Sequence, residues 1–506
     1  MSVDFLGNPP PLMRKYMVPT FRMLATLMLT ARIDTAHAET VACSYELEIE
    51  NHFSEERFFE YGLCTTTNGT QYVLAETRQA HSYVSGERLV LQFSQVELGV
   101  REAMRSEVNG QPSYIVMQTL NRSLPVGLPP VSRRTRDGAA LPDEKDVISI
   151  RLVYTDAEPF CDEECIWRGL WGATTLEGGT VKGSVAALMR ESSYGMTTFP
   201  ETRGRVVSVS MNKSIDTIVG CPTLSEAELA DQKAIENLGI DPKSYVLREY
   251  VVPQNFGTCS WDGYANVGCS PPGWGLRTGR CYTFIRDTSP TTRLHQFAHN
   301  LGLLNAGTAT KTYGDSTAVM GRTHAWKGFI AAARYQLGWL SDEATLIWTQ
   351  DVRVTLRSLH LDPESDIGDV TAVKVPCPSC FLEGDKGGHI FISFRTPNGY
   401  DADLDYNHVN KVFVHLLRTY TYPYGSGTKM YAALSSGQYY TLVDSGHTIS
   451  VCSISTMSAT VAIAKSTEAA ESLCAKSQLI RAGLRQSIPA GGVQVLRGNS
   501  ISAVEV

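Results

Sequence analysis

The 506-residue sequence predicts an α/β centre, a mixed and largely parallel sheet with helices, flanked by N- and C-terminal β-rich domains. Three observations predict this. Between residues 147 and 350 strand-like runs alternate with segments of helical period, the pattern of a layered α/β sheet. On both sides, short alternating or β-branched runs recur without helices. A stretch rich in Pro, Gly and charge, residues 124–146, reads as a linker between the first β region and the centre. A chain of this length holds about three domains at roughly 150 residues each.

Residues 1–38 read as a signal or leader. Arg14 and Lys15 precede an apolar stretch over 23–31, and Ala36-His37-Ala38 offers small residues at the spacing a signal peptidase reads, although Arg22 and Arg32 bracket the run. Residues 39–123 form a β-rich, pro-like domain, with strands expected at 45–49, 71–75 and 88–93 and a turn at Ser85-Gly86. In the linker, Arg133-Arg134-Thr135-Arg136 reads as solvated charge, with a basic processing site as the alternative.

The centre spans 147–350. Strands are expected at 147–154, 205–211, 244–252 and 281–286. Val181, Val185, Leu188 and Met189 recur at helical spacing, and Ser225 with Glu228 forms a capping-box signature for a helix that Gly239 would end. The C-terminal β domain, 351–460, contains strand-like runs at 352–356, 389–394 and 411–417, and a Ser/Ala-rich tail fills 461–506.

Composition narrows the class of function. With 45 basic and 52 acidic residues the net charge is −7, so no basic field recommends nucleic acid as a partner. Hydrophobic content of 43% excludes a disordered chain, and no apolar run of about 18 residues predicts a membrane span. Twelve cysteines are too dilute for a small disulfide scaffold but suffice for several staples in an oxidising compartment. N-x-S/T tripeptides at Asn68, Asn121 and Asn212 fit a secreted glycoprotein, or are ordinary polar turns.

The chemistry concentrates in SPTTRLHQFAHNLGLLNAG, residues 289–307. Ser289-Pro290 starts a helix whose apolar positions are Leu294, Phe297, Ala298 and Leu301. His295 and His299, four apart, share a helical face within reach of one ion. Gly302 lets the chain turn so that residue 305 can return toward them, and Met320 in YGDSTAVMG (313–321) can floor the site. Two helical histidines alone are ordinarily surface or core residues; the Gly, the residue at 305 and the Met turn together favour a metal site.

These residues resemble the gametolysin-type (peptidase family M11-like) zinc metallopeptidases, a branch of the metzincins whose consensus is H-E-x-x-H-x-x-G-x-x-H followed by a Met turn. Other stretches are similar in the same order: SSYGMTTF (192–199), CSWDGYANVGC (259–269), YQLGW (335–339) and FISFRTPNGYDADL (391–404), so the resemblance covers roughly 148–420. It implies a metzincin-like catalytic domain, zinc as cofactor, and a secreted protein directed at extracellular-matrix or cell-wall glycoproteins or polypeptides, Pro- or hydroxyproline-rich ones among them. By this resemblance His295 and His299 are metal ligands and Met320 is the Met turn.

Two positions depart from the family. Gln296 stands where the general base would be, and Asn305 where the third histidine ligand would be. A glutamine amide orients water but cannot accept its proton, and losing a general base typically lowers the rate by about 10²–10⁴. An amide oxygen is a weak third zinc ligand. The expectation is a metallopeptidase fold with proteolysis weakened or lost, the alternative being a matrix protein that binds polypeptide or glycan in the former cleft. His324 reads as a polar loop histidine, or a substitute ligand, and Asp315 as a turn residue, or a replacement base.

The remaining candidates carry less. Cys161, Cys165, Cys259 and Cys269 read as disulfide-forming cysteines rather than ligands, and Cys377 and Cys380 as a local or cross-loop disulfide, the pairings themselves not being legible in one sequence. Cys43 or Cys64 could cap the metal as a latency switch, or the two could bond each other. Trp261, Trp274, Trp326 and Trp339 read as packing residues rather than glycan platforms. Neither a serine nucleophile elbow nor a phosphate-binding glycine loop is found in convincing context.

Overall fold

A computed structural model describes residues 39–52, 57–65, 71–74, 88–95 and 113–123, and from 143 to 475 all residues except 173, 176–180, 269–280, 309–310, 312, 322–325, 341–344, 348–349, 362–369, 378–387, 419–425 and 443–445. The leader, the basic run at 133–136, Cys269, Trp274, His324, Cys380 and the end of the tail lie outside the described residues.

The N-terminal strands are β1 (Glu39–His52), β2 (Arg57–Thr65), β3 (Gln71–Leu74), β4 (Arg88–Gln95) and β5 (Ser113–Ser123). Their order runs β1-β2-β3-β5-β4, and β4 pairs back with β1, so the five strands close on themselves. Closure removes exposed edges, which is the barrel solution to edge pairing. β1 is longer than its neighbours and its two edges differ. One pairs with β2 over Ser44 to His52; the other is divided between β4, at Glu39 to Ser44, and a strand of the central sheet, at Glu48 to Asn51.

The centre follows as β6 (Asp143–Glu144), β7 (Val147–Val153), α1 (Glu163–Leu170), β8 (Thr174–Thr175), β9 (Val181–Lys182), α2 (Val185–Ser192), β10 (Thr197–Thr198), β11 (Arg205–Ser210), α3 (Thr223–Leu238), β12 (Leu247–Val251), β13 (Gly263–Asn266), β14 (Tyr282–Ile285) and α4 (Pro290–Asn300). β11, β7, β12 and β14 are parallel neighbours, and β13 lies antiparallel to both β14 and β1. Both faces of this sheet are covered, by two separate apolar clusters, so β12 is buried along its whole length and β7 nearly so, although β12 carries Arg248 and Glu249. Gly239 ends α3 in the left-handed conformation, as its sequence position predicts. The start of α3 differs from the capping-box expectation. The helix opens at Thr223, and the Ser225 hydroxyl donates to the Pro222 carbonyl. Val181, expected on a helix, sits in β9, and the helical repeat begins with Val185.

The chain continues through β15 (Leu303–Thr308), α5 (Ala331–Gln336), β16 (Thr345–Ile347), β17 (Val352–Arg357), β18 (Ala372–Cys377), β19 (Gly388–Arg395), β20 (Lys411–Arg418), β21 (Ser426–Leu434), β22 (Tyr439–Thr441), β23 (Thr448–Ile454) and β24 (Ser458–Ala464). The second large sheet has the order β15-β21-β20-β19-β18-β16, so strands from before and after residue 350 share it. β17, β24, β23 and β22 form a further sheet. The protein is thus a mixed α/β structure with several sheets and few helices among the described residues.

Disulfides join Cys161 to Cys165, Cys221 to Cys259 and Cys452 to Cys474, and Cys64, Cys281 and Cys377 are also disulfide-bonded. Among the described residues no cysteine is free, so the described cysteines are staples and not ligands. No described helix is long and apolar enough to cross a membrane.

Candidate active site

Helix α4 is set by local chemistry at both ends. Ser289 caps it by accepting from the Thr292 N–H, Pro290 occupies the first turn, and the Asp287 carboxylate accepts from the Ser289 N–H and hydroxyl and the Thr292 hydroxyl. At the other end Gly302, at φ +96, reverses the chain directly into β15. Every residue from Thr291 to Asn300 is buried, so the helix is an internal element. Arg293 holds it in register: its guanidinium grips the fully buried Glu249 of β12 (Nε to Oε1, 2.7 Å) and donates to the Ile166 carbonyl of α1. Ser149 of β7 donates to the same carboxylate. Asn300 ties the far end to β13 and β14, donating to Asn266 and to the Tyr282 carbonyl.

The sequence-predicted residues do converge. The rings of His295 and His299 lie edge to face with centroids 4.6 Å apart, and Asn305 on β15 brings its Oδ1 to 3.1 Å from His295 Nε2. The Met turn lies against them: the Ala306 N–H donates to the Met320 carbonyl, and His295 Nδ1 sits 2.8 Å from the Val319 carbonyl. His299 Nδ1 meets the Leu303 carbonyl at 2.8 Å.

Electrostatics fixes the protonation of this pair. Burial pushes the His295 pKa down to about 4, against the opposing pull of Val319 and Asn305, and burial together with the neighbouring His295 holds His299 well below the usual histidine range. Both rings are neutral at neutral pH, and a neutral imidazole has one N–H. For His299 that N–H goes to Leu303, so Nε2 is the ring's acceptor nitrogen. His295 has an acceptor oxygen at each nitrogen, Val319 on one side and Asn305 on the other, and can satisfy only one. With its N–H on Val319, two lone pairs, Nε2 and Asn305 Oδ1, face each other. Either the amide turns its Nδ2 toward the ring or a cation takes both lone pairs. The second arrangement fits: with bonds of about 2.0 Å, adjacent ligand atoms of a tetrahedral zinc lie about 3.3 Å apart, close to the spacing found. Carbonyls that fix Nδ1–H are also the usual support of metal-binding histidines. Among the described residues no three His, Cys, Asp or Glu side chains cluster for a metal; the polar side chain that does lie beside His295 is the Asn305 amide, which could serve as a donor.

Gln296 is fully buried, and neither end of its amide pairs with a protein group. It packs against Gly263 on β13, where an added Cβ would lie 2.4 Å from Nε2. Asp315 is turned away from base chemistry. Its carboxylate accepts from the Thr317 N–H and hydroxyl and faces His415 of β20 at 3.2 Å, both residues being fully buried.

Sequence reasoning missed the bracing behind the Met turn. Arg395 of β19 pairs with Asp401 inside the protein (Nε to Oδ2, 2.8 Å) and donates to the Thr317 carbonyl. Arg334 lies between the rings of Tyr194 and Tyr400, each 4.8 Å away. These residues come from SSYGMTTF, YQLGW with its preceding turn, and FISFRTPNGYDADL, so the signal was their co-occurrence and not any single motif. Trp261 and Trp339 are core residues, as expected.

Residues 173–438, more than half of the chain, match the Gametolysin peptidase M11 family. Autolysin of Chlamydomonas reinhardtii is 37% identical over 198 residues, covering 33% of this chain and 30% of the relative, so the chain spans less than a third of that relative's length. The family match, over more than half of its length, places the chain in the gametolysin peptidase M11 family.

Proposed function

We propose that the protein is a secreted gametolysin-type metallopeptidase homologue that engages cell-wall glycoprotein polypeptide in its cleft and has lost most of its hydrolytic turnover. The observation that carries the reading is Gln296: the residue beside the first histidine is a buried, protein-unpaired amide where peptide hydrolysis requires a base. His295, His299 and Asn305 would hold zinc, which when bound supplies a Lewis acid for the scissile carbonyl. The two neutral imidazoles offer Nε2 lone pairs, and Asn305 adds a weaker neutral oxygen, so affinity lies below that of a three-histidine site. Gln296 can donate to and accept from water or a substrate carbonyl, and so orient either. It holds no proton that it can pass to a leaving amine. What remains is recognition with slow chemistry. The relative named Autolysin, together with the disulfides, supports action on cell-wall material outside the cell.

The test is metal content and hydrolysis of a quenched fluorescent peptide by the full chain, with and without chelator. The parent is expected to show weak zinc retention and trace turnover, and Gln296→Glu with Asn305→His to raise chelator-sensitive turnover by about 10²–10⁴. Stoichiometric zinc with fast, chelator-sensitive cleavage by the parent overturns the reading.

A further inference from the structure

Far from the histidines, the central sheet ends at β11. Among the described residues β11 pairs with β7 alone, and a strand open on one side is a template for pairing with another chain. Such edges are ordinarily blunted by charge, proline, bulges or a covering segment. β11 reads RVVSVS and carries little of this itself. Its one charge is at the first residue, it has no proline, and its register with β7 is unbroken from Arg205 to Ser210. Directly after it comes Asn212-Lys213-Ser214, one of the three N-x-S/T tripeptides. Of the other two, Asn121 lies inside β5 opposite Val90, and Asn68 lies outside the described residues. Asn212 is exposed and stands in the left-handed region, at φ +53. The backbone on either side of it is fixed: the Met211 N–H donates to the Val153 carbonyl, and the Thr155 N–H donates to the Lys213 carbonyl. Ser214 is anchored as well, its hydroxyl donating to the Asp156 carboxylate and accepting from the Asp216 N–H at the start of a 3-10 turn over Ile215–Thr217. The Asn212 side chain accepts from the Ser210 hydroxyl through Oδ1, at 2.8 Å, so the amide oxygen is turned to the strand and the amide nitrogen away from it.

We infer that Asn212 carries an N-linked glycan and that this glycan shields the open β11 edge of the central sheet. Attachment forms a bond from Nδ2 to C1 of an N-acetylglucosamine and breaks the bond between that carbon and the diphosphate of a lipid-linked oligosaccharide donor. The lipid diphosphate leaves, and Nδ2 gives up one proton. Oδ1 takes no part, so its bond from Ser210 is kept. The carbohydrate then stands two residues beyond β11, bulky and hydrated, at the end of the edge along which another strand would add. The inference rests on the reading above only for the secretory compartment, and neither zinc nor hydrolysis enters it.

The full chain is exported from a eukaryotic host behind a cleavable secretion signal, so that occupancy is read whether or not residues 1–38 direct export. Peptides are mass-mapped before and after enzymatic release of N-glycans, which converts a glycosylated Asn to Asp. The peptide holding Asn212 is expected to carry glycan in the parent and in Ser214→Thr, and none in Asn212→Gly, a variant that suits the left-handed turn. Aggregation is followed by light scattering below the unfolding temperature. It is expected to be roughly threefold or more faster in Asn212→Gly, and in parent stripped of its glycan after folding, than in the glycosylated parent. Adding Ser208→Glu to Asn212→Gly, a charge on the edge opposite Arg151, should slow it again. An unmodified Asn212 in the exported parent overturns the inference, and aggregation unchanged by removal of the glycan overturns the shielding. Zinc content and peptide hydrolysis on the same samples keep the two readings apart. Glycan at Asn212 without zinc in any sample leaves this inference standing and defeats the metal site; bound zinc with Asn212 unmodified does the reverse.

Discussion

Replacing Gln296 with Met should stabilise the protein. The amide is fully buried and neither Nε2 nor Oε1 meets a protein partner. Burial of an amide without hydrogen bonds costs about 1–3 kcal/mol on mutational evidence. Met keeps the length and flexibility of the side chain, removes the polar atoms and fits against Gly263, which offers no side chain of its own. The expected gain is about 2 kcal/mol. At roughly 2–4 °C per kcal/mol for a folding unit of 150–250 residues, that raises the Tm of the transition containing α4 by about 4–8 °C. The measurement is a thermal melt of parent and variant in chelator, so that metal linkage does not enter. A Gln296→Met protein no more stable than the parent refutes the reasoning, because the amide would then be satisfied in solution. A residue whose removal helps the fold is one retained for something other than folding.

Three further outcomes follow from the same geometry. Gly263→Ala places a Cβ 2.4 Å from Gln296 Nε2 and should destabilise by about 1–3 kcal/mol, a loss largely recovered when Gln296→Ala is added; additive effects in the double-mutant cycle would show that the contact is not the cause. Arg293→Met leaves the Glu249 carboxylate buried without its partner and should cost about 3–5 kcal/mol by urea denaturation, with the double variant Arg293→Met/Glu249→Gln less damaged than the single one. For Asp315, burial pushes the pKa up but is outweighed by His415 and the Thr317 donors, so the folded value lies below the unfolded one of about 3.9. Its contribution is therefore fully present above about pH 4 and lost as pH falls through the folded value. Asp315→Asn should cost about 1.5–3 kcal/mol at pH 7, and the difference from the parent should vanish in acid; a gap that stays constant from pH 7 to 3 contradicts this.

Helix α4 was legible because its determinants are local. Ser289-Pro290, the i, i+4 histidines and Gly302 lie within fourteen consecutive residues, and each acts on its immediate neighbours. The convergence of Asn305 on His295 was legible for the same reason, since one glycine turn joins their elements. What could not be read are contacts made across the chain. Nothing near Arg293 says that it will be buried on Glu249, or that Cys259 will choose Cys221. The start of α3 was misread because tertiary contacts outweigh a capping signature. Glu226 is buried in the first turn, bonded to the Tyr154 hydroxyl and the Lys213 ammonium, and that fixes a helix already begun at Thr223. The pairing of β1 with β13 was invisible for the further reason that a four-residue ladder leaves no periodic trace.

The strand that carries Asn305 has a consequence for how the protein is made. β15 has one neighbour in its sheet, β21, and Leu303 of β15 pairs with Ser426 of β21, 123 residues later. At a synthesis rate of about 5–20 residues per second, the histidine helix waits roughly 6–25 s before the sheet that seats Asn305 can be completed. Throughout that interval the nascent chain carries two histidines without Asn305 fixed beside them. A fold wired this way cannot finish the proposed metal site on the ribosome until the sheet behind it has arrived.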